Sequence, residues 1–282
     1  MNLSARAHKN LQSALAGALL GGLMASPRAG AAAVLNGLTA FTQGVLPFLF
    51  PFSCLAQLLA CGRRAPLWAL RLTGMLGGSP TGARLLAEVG DERAARRSAM
   101  MTGGVSPMFF AGTLALWLDS RADGTILLAS HLGALALGGL LLPRGQARDI
   151  QTPEVSLPQA VAQSALAMLS VGGCIAMGAL AAALTGAFLP DVPRALLHAV
   201  LEMSGGCRTV ISLAWPRVPT LCLISAACAF SGAAILFQNA GYWRGVGISV
   251  VRLAGYGVIR AALSAALTFV MICICQAMKI AV

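Results

Sequence analysis

Long apolar segments separated by short polar ones follow one another along almost the whole chain. A helix that crosses the hydrocarbon core of a bilayer needs about 20 largely apolar residues, and seven segments approach or reach this length. Almost no sequence remains for a soluble domain. The pattern therefore predicts an all-α fold, a polytopic bundle of membrane helices. The predicted crossings are residues 4–25, 44–61, 101–118, 125–142, 160–188, 218–237 and 255–278.

Two further apolar stretches are interrupted by glycine, and the rest of the prediction is organised around them. Residues 72–88 read LTGMLGGSPTGARLLAE, which also contains Pro80, and residues 201–211 read LEMSGGCRTVI. A broken helix at membrane depth leaves backbone N–H and C=O groups without partners, so it must be buried in protein or line a wet cavity. Transporters often place two such segments in corresponding positions of two halves. The stretches therefore predict two discontinuous, re-entrant segments around one site.

The order of the predicted elements repeats along the chain. A polar loop at 144–158 separates a first half, 44–143, from a second half, 159–282, and residues 1–43 form an N-terminal helix followed by an interfacial helix. Short loops rich in Lys and Arg stay in the cytoplasm. This rule places the arginine-rich stretch 63–97 on the cytoplasmic side, and the two broken segments then enter from opposite sides. The expected architecture is a weak inverted repeat.

Composition agrees with a membrane protein and narrows its partners. The 282 residues are 57% apolar and only 10% charged, and the mean hydropathy is +0.79. The net charge of +11 is spread over short loops, which favours contact with lipid headgroups and argues against nucleic-acid binding. Residues 4–25 also fit a signal peptide with Ala-Gly-Ala near residue 30 as the cleavage site. The packing face of Gly17 and Gly21 favours a retained helix.

Cysteines and histidines give no sign of a metal site or a cofactor. The eight cysteines lie mostly inside apolar runs without a CxxC motif, and the three histidines are scattered. We interpret the cysteines as small buried hydrophobic residues, and His131 as a packing residue rather than a proton relay. Because no pair of a nucleophile and a base is evident, the sequence does not predict an enzyme.

Three charged residues next to the breaks are the main candidates for function. Glu202 lies in an apolar setting directly before the second predicted break, where an ionisable group should face a cavity or a cationic partner. We interpret Glu202 in one of two ways. It is either a coupling or gating group, or a structural partner for Arg84 or Arg208. These two arginines follow the two breaks, so that their guanidinium groups could together bind a small dianion. Arg84 could instead pair with Glu88, four residues on.

Small and uncharged polar residues complete the predicted substrate site. They lie at the breaks or at the ends of neighbouring apolar runs, where their backbone N–H, hydroxyl or amide groups could reach a cavity. A polar helix end would account equally for Gln238 and its neighbour Asn239. The additional predicted substrate-binding residues are Gly77, Gly78, Ser79, Thr81, Gly82, Ser106, Ser204, Gly205 and Gln238.

Several of these segments together resemble a known family. LPFLFPF, GGSPTGARL, SPMFFAG, SHLGAL, LEMSGG and FSGAAILFQ resemble the YlbJ (SpoVV) type of sporulation integral membrane protein. This family belongs to the nucleoside-recognition or Gate-domain group, which is distantly similar to concentrative nucleoside transporters. The resemblance extends over about residues 10–280. The chain has Ser79 where the family commonly has an aromatic residue before the proline, and Ser106 where it commonly has asparagine.

The resemblance implies a carrier in the mother-cell-derived outer forespore membrane that delivers dipicolinic acid toward the developing spore. Our leading hypothesis is a secondary carrier for dipicolinate or a similar small organic anion, with the lipid bilayer as its other partner. One alternative is a non-transporting protein that assembles the spore envelope, and another is a nucleoside-type carrier. The coupling ion and the oligomeric state are left open.

Overall fold

The computed structural model describes residues 3–60, 66–87, 91–146 and 154–278, with side chains from residue 13 onward except that of residue 60. This described part of the chain is helical and contains no strand, which confirms the predicted all-α class. The α-helices are α1 (Leu3–Ala25), α2 (Pro27–Ala40), α3 (Leu46–Ala60), α4 (Leu67–Gly77), α5 (Thr81–Leu86), α6 (Glu92–Thr102), α7 (Ala115–Trp117), α8 (Arg121–Leu140), α9 (Leu157–Gly186), α10 (Asp191–Leu201), α11 (Met203–Ser212), α12 (Arg217–Phe230), α13 (Gly232–Trp243) and α14 (Val250–Ala277).

Five helical runs in the described ranges are long and apolar enough to cross a membrane. This finding supports a membrane-embedded polytopic bundle, whereas the predicted count of seven crossings stays a prediction. The crossings predicted at 125–142, 160–188 and 255–278 coincide with α8, α9 and α14. The five runs are Pro27–Leu59, Arg121–Leu140, Leu157–Gly186, Arg217–Val246 and Val250–Ala277.

The structure shows no break between the predicted interfacial helix and the next crossing. Helix α2 continues through a π-helical turn, Phe41–Val45, directly into α3, so that Pro27–Leu59 is one run of 33 residues. In this turn the N–H of Leu46 donates to the carbonyl of Phe41, five residues back. Pro47 follows at once and has no N–H to donate, which favours a local change in the hydrogen-bond ladder at this point.

Two predicted crossings, 101–118 and 218–237, are not continuous helices. Helix α6 contains the charged segment at 92–97 and the start of the crossing predicted at 101–118. It ends at Thr102, and the chain becomes helical again only after Ser106. Helix α12 ends at Phe230, and Ser231 and Gly232 have φ of +75° and +71°. Helix α13 continues to Trp243, beyond the predicted end of this crossing at residue 237. The described chain thus contains four breaks inside the bundle rather than two.

With these corrections the repeat becomes regular. Each half consists of a long helix, a hairpin broken in its middle, a broken helix and a final long helix. The first half is α3, α4–α5, α6–α7 and α8, and the second is α9, α10–α11, α12–α13 and α14. Corresponding neighbours pack together, since α4 contacts α5 as α10 contacts α11, and α6 contacts α8 as α12 contacts α14. The inversion of the second half relative to the first stays a prediction, because α6 and α7 are not among the five runs long and apolar enough to cross a membrane.

Gly78 provides a test of the first break. Its φ of +64° disfavours residues with a Cβ, and a Cβ there would lie 2.4 Å from the backbone nitrogen of Ser106. We expect Gly78→Ala to lower the free energy of unfolding by about 2 kcal/mol or more. Thermal unfolding of the purified protein in detergent measures the loss. Gly255→Ala is the matched control, because a Cβ at this helical glycine meets no atom within 4 Å. An equal loss in both variants would contradict the strain argument.

Candidate functional site

The first break lies where the sequence predicts it. Helix α4 ends at Gly77, and α5 begins at Thr81 after a cis Ser79–Pro80 peptide bond. The N–H of Ser79 donates to the carbonyl of Gly104 at 2.9 Å, and its hydroxyl donates to Oδ1 of Asn239 at 2.6 Å. The first break is therefore held by the non-helical segment 103–106 and by α13.

The second break lies at Glu202 and not at the glycine pair. Glu202 is extended, with φ of −141° and ψ of 110°, whereas Gly205 lies inside α11. The Glu202 side chain caps α11. Its Oε1 accepts from the N–H of Ser204 at 2.9 Å and from the Ser204 hydroxyl at 2.6 Å, and its Oε2 accepts from the N–H of Gly205 at 2.6 Å. An acidic side chain in this position satisfies N–H groups that have no helical partner.

Glu202 does not form the ion pair that the sequence left open. Among the residues that the structure describes, no Lys, Arg or His nitrogen lies within 4 Å of its carboxyl oxygens; the ion pairs involve Glu92, Asp123 and Asp191 instead. The interpretation of Glu202 as a partner for Arg84 or Arg208 is therefore wrong in this structure. The buried carboxyl group faces backbone and hydroxyl donors.

The four breaks form one connected cluster. The hydroxyl of Ser231 donates to the carbonyl of Gly103 at 2.8 Å, which joins the broken helices of the two halves. Gly232 packs against the start of α11, because a Cβ at this position would lie 3.1 Å from the backbone nitrogen of Met203. The hydrogen bond from Ser79 to Gly104 joins the first break to the segment 103–106. Because Ser231 of the second half is bonded to the same segment, the four breaks are connected.

A small cavity, here the central cavity, lies within this cluster. Its volume is about 40 Å³, counted as the space that centres of water molecules can reach, which corresponds to about three waters. The lining is mainly apolar, with a few polar groups between the apolar ones. The lining residues are Gly44, Val45, Phe48, Leu49, Ser79, Val105, Ser106, Met108, Phe109, Val171, Ile175, Glu202, Met203, Ser204, Ile235 and Gln238.

The central cavity brings together five of the predicted site residues from both halves. Ser79 and Ser106 come from the first half, and Glu202, Ser204 and Gln238 from the second. The hydroxyl of Ser106 donates to the carbonyl of Leu76, whereas the Oε1 atom of Gln238 is buried without a hydrogen-bond partner. The two stretches that the sequence singled out therefore meet across one cavity. Their role in substrate binding stays a prediction.

A second and larger cavity, the side cavity, adjoins the first. It has a volume of about 360 Å³ on the same measure and lies among α2, α9, α10 and α11. Small residues of α2 and α9 form one wall, and polar side chains line the other. Glu202 lines both cavities, so its side chain is part of the wall between them. The polar lining residues are Asn36, His198, Glu202, Arg208 and Thr209, together with the backbone of Gly205.

The two arginines do not converge on one cavity. Arg208 lines the side cavity, and its guanidinium carbon lies 5.6 Å from the ring centre of Trp117. Arg84 is exposed, donates to Oε1 of Gln163 and lines a third cavity beside Tyr242. The central cavity has no basic side chain in its described lining. The expected two-arginine clamp is therefore wrong in this structure, and Glu88, the other suggested partner of Arg84, lies outside the described residues.

The remaining predicted residues of the first stretch serve close packing. Gly82 lies against Thr102, where an added Cβ would be 2.5 Å from the threonine Cβ, and Gly77 lies against Thr81 in the same way. These residues let α4, α5 and α6 approach closely. Gly77, Gly78, Thr81 and Gly82 line neither the central nor the side cavity.

Arg260 is the functional candidate that the sequence reasoning missed. It lies in the middle of α14 with 1% of its surface exposed, and its guanidinium group donates to carbonyl oxygens of two broken helices. The signal was present in the sequence, because Arg260 is the one charged residue of the predicted crossing 255–278, and a charged residue inside a membrane helix is usually functional.

Metal ligands and relatives give no further constraint. Within the ranges covered by the structure, no group of three His, Cys, Asp or Glu side chains is placed to hold a metal ion. A scan against protein-family models, a search of curated proteins and a search of solved structures each found no match. The resemblance to the sporulation family thus stays a prediction.

The cap formed by Glu202 can be tested through stability. Glu202→Ala removes the acceptor for two N–H groups and one hydroxyl, so we expect the free energy of unfolding to fall by about 1–3 kcal/mol. Glu202→Gln keeps an acceptor oxygen and should lose less. Thermal unfolding in detergent measures both, with Glu154→Ala as the control because Glu154 is exposed. Unchanged stability of Glu202→Ala would contradict the assigned cap.

Proposed function

We propose that the protein is a secondary carrier for a small organic anion, with dipicolinate as the leading candidate. The observation that supports the proposal is the meeting of broken segments from the two parts of the chain across the central cavity. In carriers of this architecture the substrate binds at the repeat interface, and rocking of one part against the other exposes the site to either side. Broken helices have few other uses at such a position, because they cost hydrogen bonds that an unbroken helix would keep.

Glu202 is proposed as the gating group and as the group that couples transport to a cation or a proton. Its carboxyl group lies between the central and the side cavity and is held only by donors of its own helix, α11. A central cavity of about 40 Å³ is too small for a bicyclic or a substituted six-membered ring. Entry of a substrate therefore requires that the wall containing Glu202 moves, which joins the two cavities.

The lining sets the chemistry of the substrate. Phe48 and Phe109 offer apolar surface that suits a planar ring. The hydroxyl groups of Ser79, Ser106 and Ser204 donate to protein acceptors in this structure, and each would exchange that acceptor for a substrate carboxylate. The positive charge of Arg208 in the side cavity would attract an anion on its way to the central cavity. A small aromatic carboxylate combines these features, and dipicolinate is the member of that class which the family resemblance implies.

A nucleoside is the second candidate, and the electrostatics of the central cavity favour it. The described lining holds a carboxyl group and an amide but no basic side chain. A carboxylate and the unpaired Oε1 atom of Gln238 accept hydrogen bonds from sugar hydroxyls and base N–H groups. They repel a second carboxylate unless it is protonated.

Uptake into liposomes tests the proposal directly. Purified protein reconstituted into proteoliposomes should accumulate labelled dipicolinate above protein-free liposomes when a proton or sodium gradient is imposed. Excess uridine or adenosine should not compete. Competition by the nucleosides, with their own uptake, would instead establish the second candidate. Uptake of neither solute under all gradients would contradict the carrier proposal and favour a role in envelope assembly.

The two arginines provide a matched pair of variants. Arg208→Gln removes the positive charge from the side cavity, and we expect the uptake efficiency (Vmax/KM) to fall about 10- to 100-fold, as for the loss of one charged hydrogen bond. Arg84→Gln makes the same chemical change at a cavity away from the site, and it should alter the efficiency less than about threefold. Equal losses in both variants would contradict the assigned entry through the side cavity.

A further inference from the structure

The guanidinium group of Arg260 is bound by carbonyl oxygens from both halves of the repeat. Nε donates to the carbonyl of Ala229 at 2.9 Å, Nη2 to that of Gly103 at 3.1 Å, and Nη1 to that of Met100 at 3.4 Å. Ala229 lies in the last turn of α12, and Met100 lies in the last turn of α6 with Gly103 directly after it. One side chain therefore satisfies the C-terminal ends of both broken helices.

In the described structure the guanidinium charge of Arg260 is balanced by these three carbonyl groups. None of the described acidic side chains lies within 4 Å of its nitrogens. The last carbonyls of a helix lack helical donors and carry the negative end of the helix dipole, so two such ends together favour a buried cation. Glycine at position 103 permits the approach, because a Cβ there would lie 2.7 Å from Nη1.

The contacts lead from Arg260 directly to the central cavity. The carbonyl of Gly103 accepts from Arg260 and also from the hydroxyl of Ser231. The next carbonyl, that of Gly104, accepts from the N–H of Ser79, which lines the cavity. Val105 and Ser106 follow and also line it. The conformation of one side of the cavity thus depends on the position of the Gly103 carbonyl.

His131 occupies the corresponding position in the first half. It lies ten residues after the start of α8, as Arg260 lies ten residues after the start of α14. Its ring is buried against Gly104 and lies beside the ring of Phe110, with the ring centres 4.8 Å apart and the planes tilted by 40°. The two final helices therefore each place a buried polar side chain on the same non-helical segment, and only that of Arg260 carries hydrogen bonds across the halves.

From these contacts we propose that Arg260 is a positioning residue for the central cavity, which clamps the broken helix of one half to that of the other. The effect of this clamp on transport rests on the proposed carrier function. The clamp itself is a statement about the backbone at 100–106 and 229–232.

Hydrogen exchange measured by mass spectrometry tests the clamp without any substrate. We expect Arg260→Gln to raise amide exchange about tenfold in peptides that cover residues 76–82, 102–107 and 228–233, since a charged hydrogen bond is lost at their junction. Exchange in α2 should not change. Arg260→Lys, which keeps the charge and can reach part of the carbonyls, should restore much of the protection. Arg252→Gln is the matched control on the same helix, because the Arg252 side chain is 40% exposed and forms an ion pair with Glu92 at 3.6 Å, away from the breaks.

Transport kinetics of the same variants distinguish positioning from general damage. Arg260→Gln should raise the KM for the transported solute about tenfold with Vmax changed less than about threefold, and Arg260→Lys should lie between this variant and the wild type. A fall in Vmax alone, or faster exchange spread over the whole chain, would overturn the positioning role. Absence of transport in the wild type would contradict the carrier proposal, whereas the exchange measurement would still decide the clamp.

Discussion

The breaks in four helices create the constraint on which the rest of the structure depends. Each break leaves backbone N–H and C=O groups without helical partners, and in a bundle poor in water every unsatisfied group costs several kcal/mol. The structure meets the demand from both ends. Glu202 supplies acceptors at the N-terminal end of α11, and Arg260 supplies donors at the C-terminal ends of α6 and α12. The bonds from Ser79 to Gly104 and from Ser231 to Gly103 join the breaks to each other.

The same solution explains why the cavity lies where it does. Non-helical backbone packs less densely than two helix faces. The central cavity therefore lies in the space between the four breaks. Polar bonds that hold such a region can be replaced by bonds to water or to a solute, whereas apolar contacts between long helices cannot be replaced. In the proposed carrier, movement of α11 with Glu202 would therefore cost less than separation of α8 from α14. A carrier that opens between the central and the side cavity would use this difference.

The hydrophobic pattern was sufficient for the class of fold and for the long helices α8, α9 and α14. The first break was recognisable because Gly77, Gly78 and Pro80 stand together. The break at Ser231 was missed because a serine and a glycine in an apolar run are common inside membrane helices, and only tertiary contacts force them out of the helix. The sequence analysis placed the second break at the glycine pair that begins with Gly205, three residues after its actual position at Glu202. An acidic residue before a helix is itself a cap signal. The directions of Arg84 and Arg208 depend on how the hairpins pack, which residue spacing does not contain.

Glu202 and Arg260 show how a bundle can keep ionisable groups of both signs in its interior without pairing them. An arginine or a carboxylate at membrane depth costs about 2.5–3.5 kcal/mol on insertion scales. Hydrogen bonds to a charged group contribute about 1.5–3 kcal/mol each, so two or three of them offset that cost. A direct ion pair would satisfy both charges as well, but it would fasten one half to the other through the cavity itself. In the proposed carrier, charges held by helix ends instead would leave the cavity wall at Glu202 free to move while Arg260 keeps the breaks of the two halves in register.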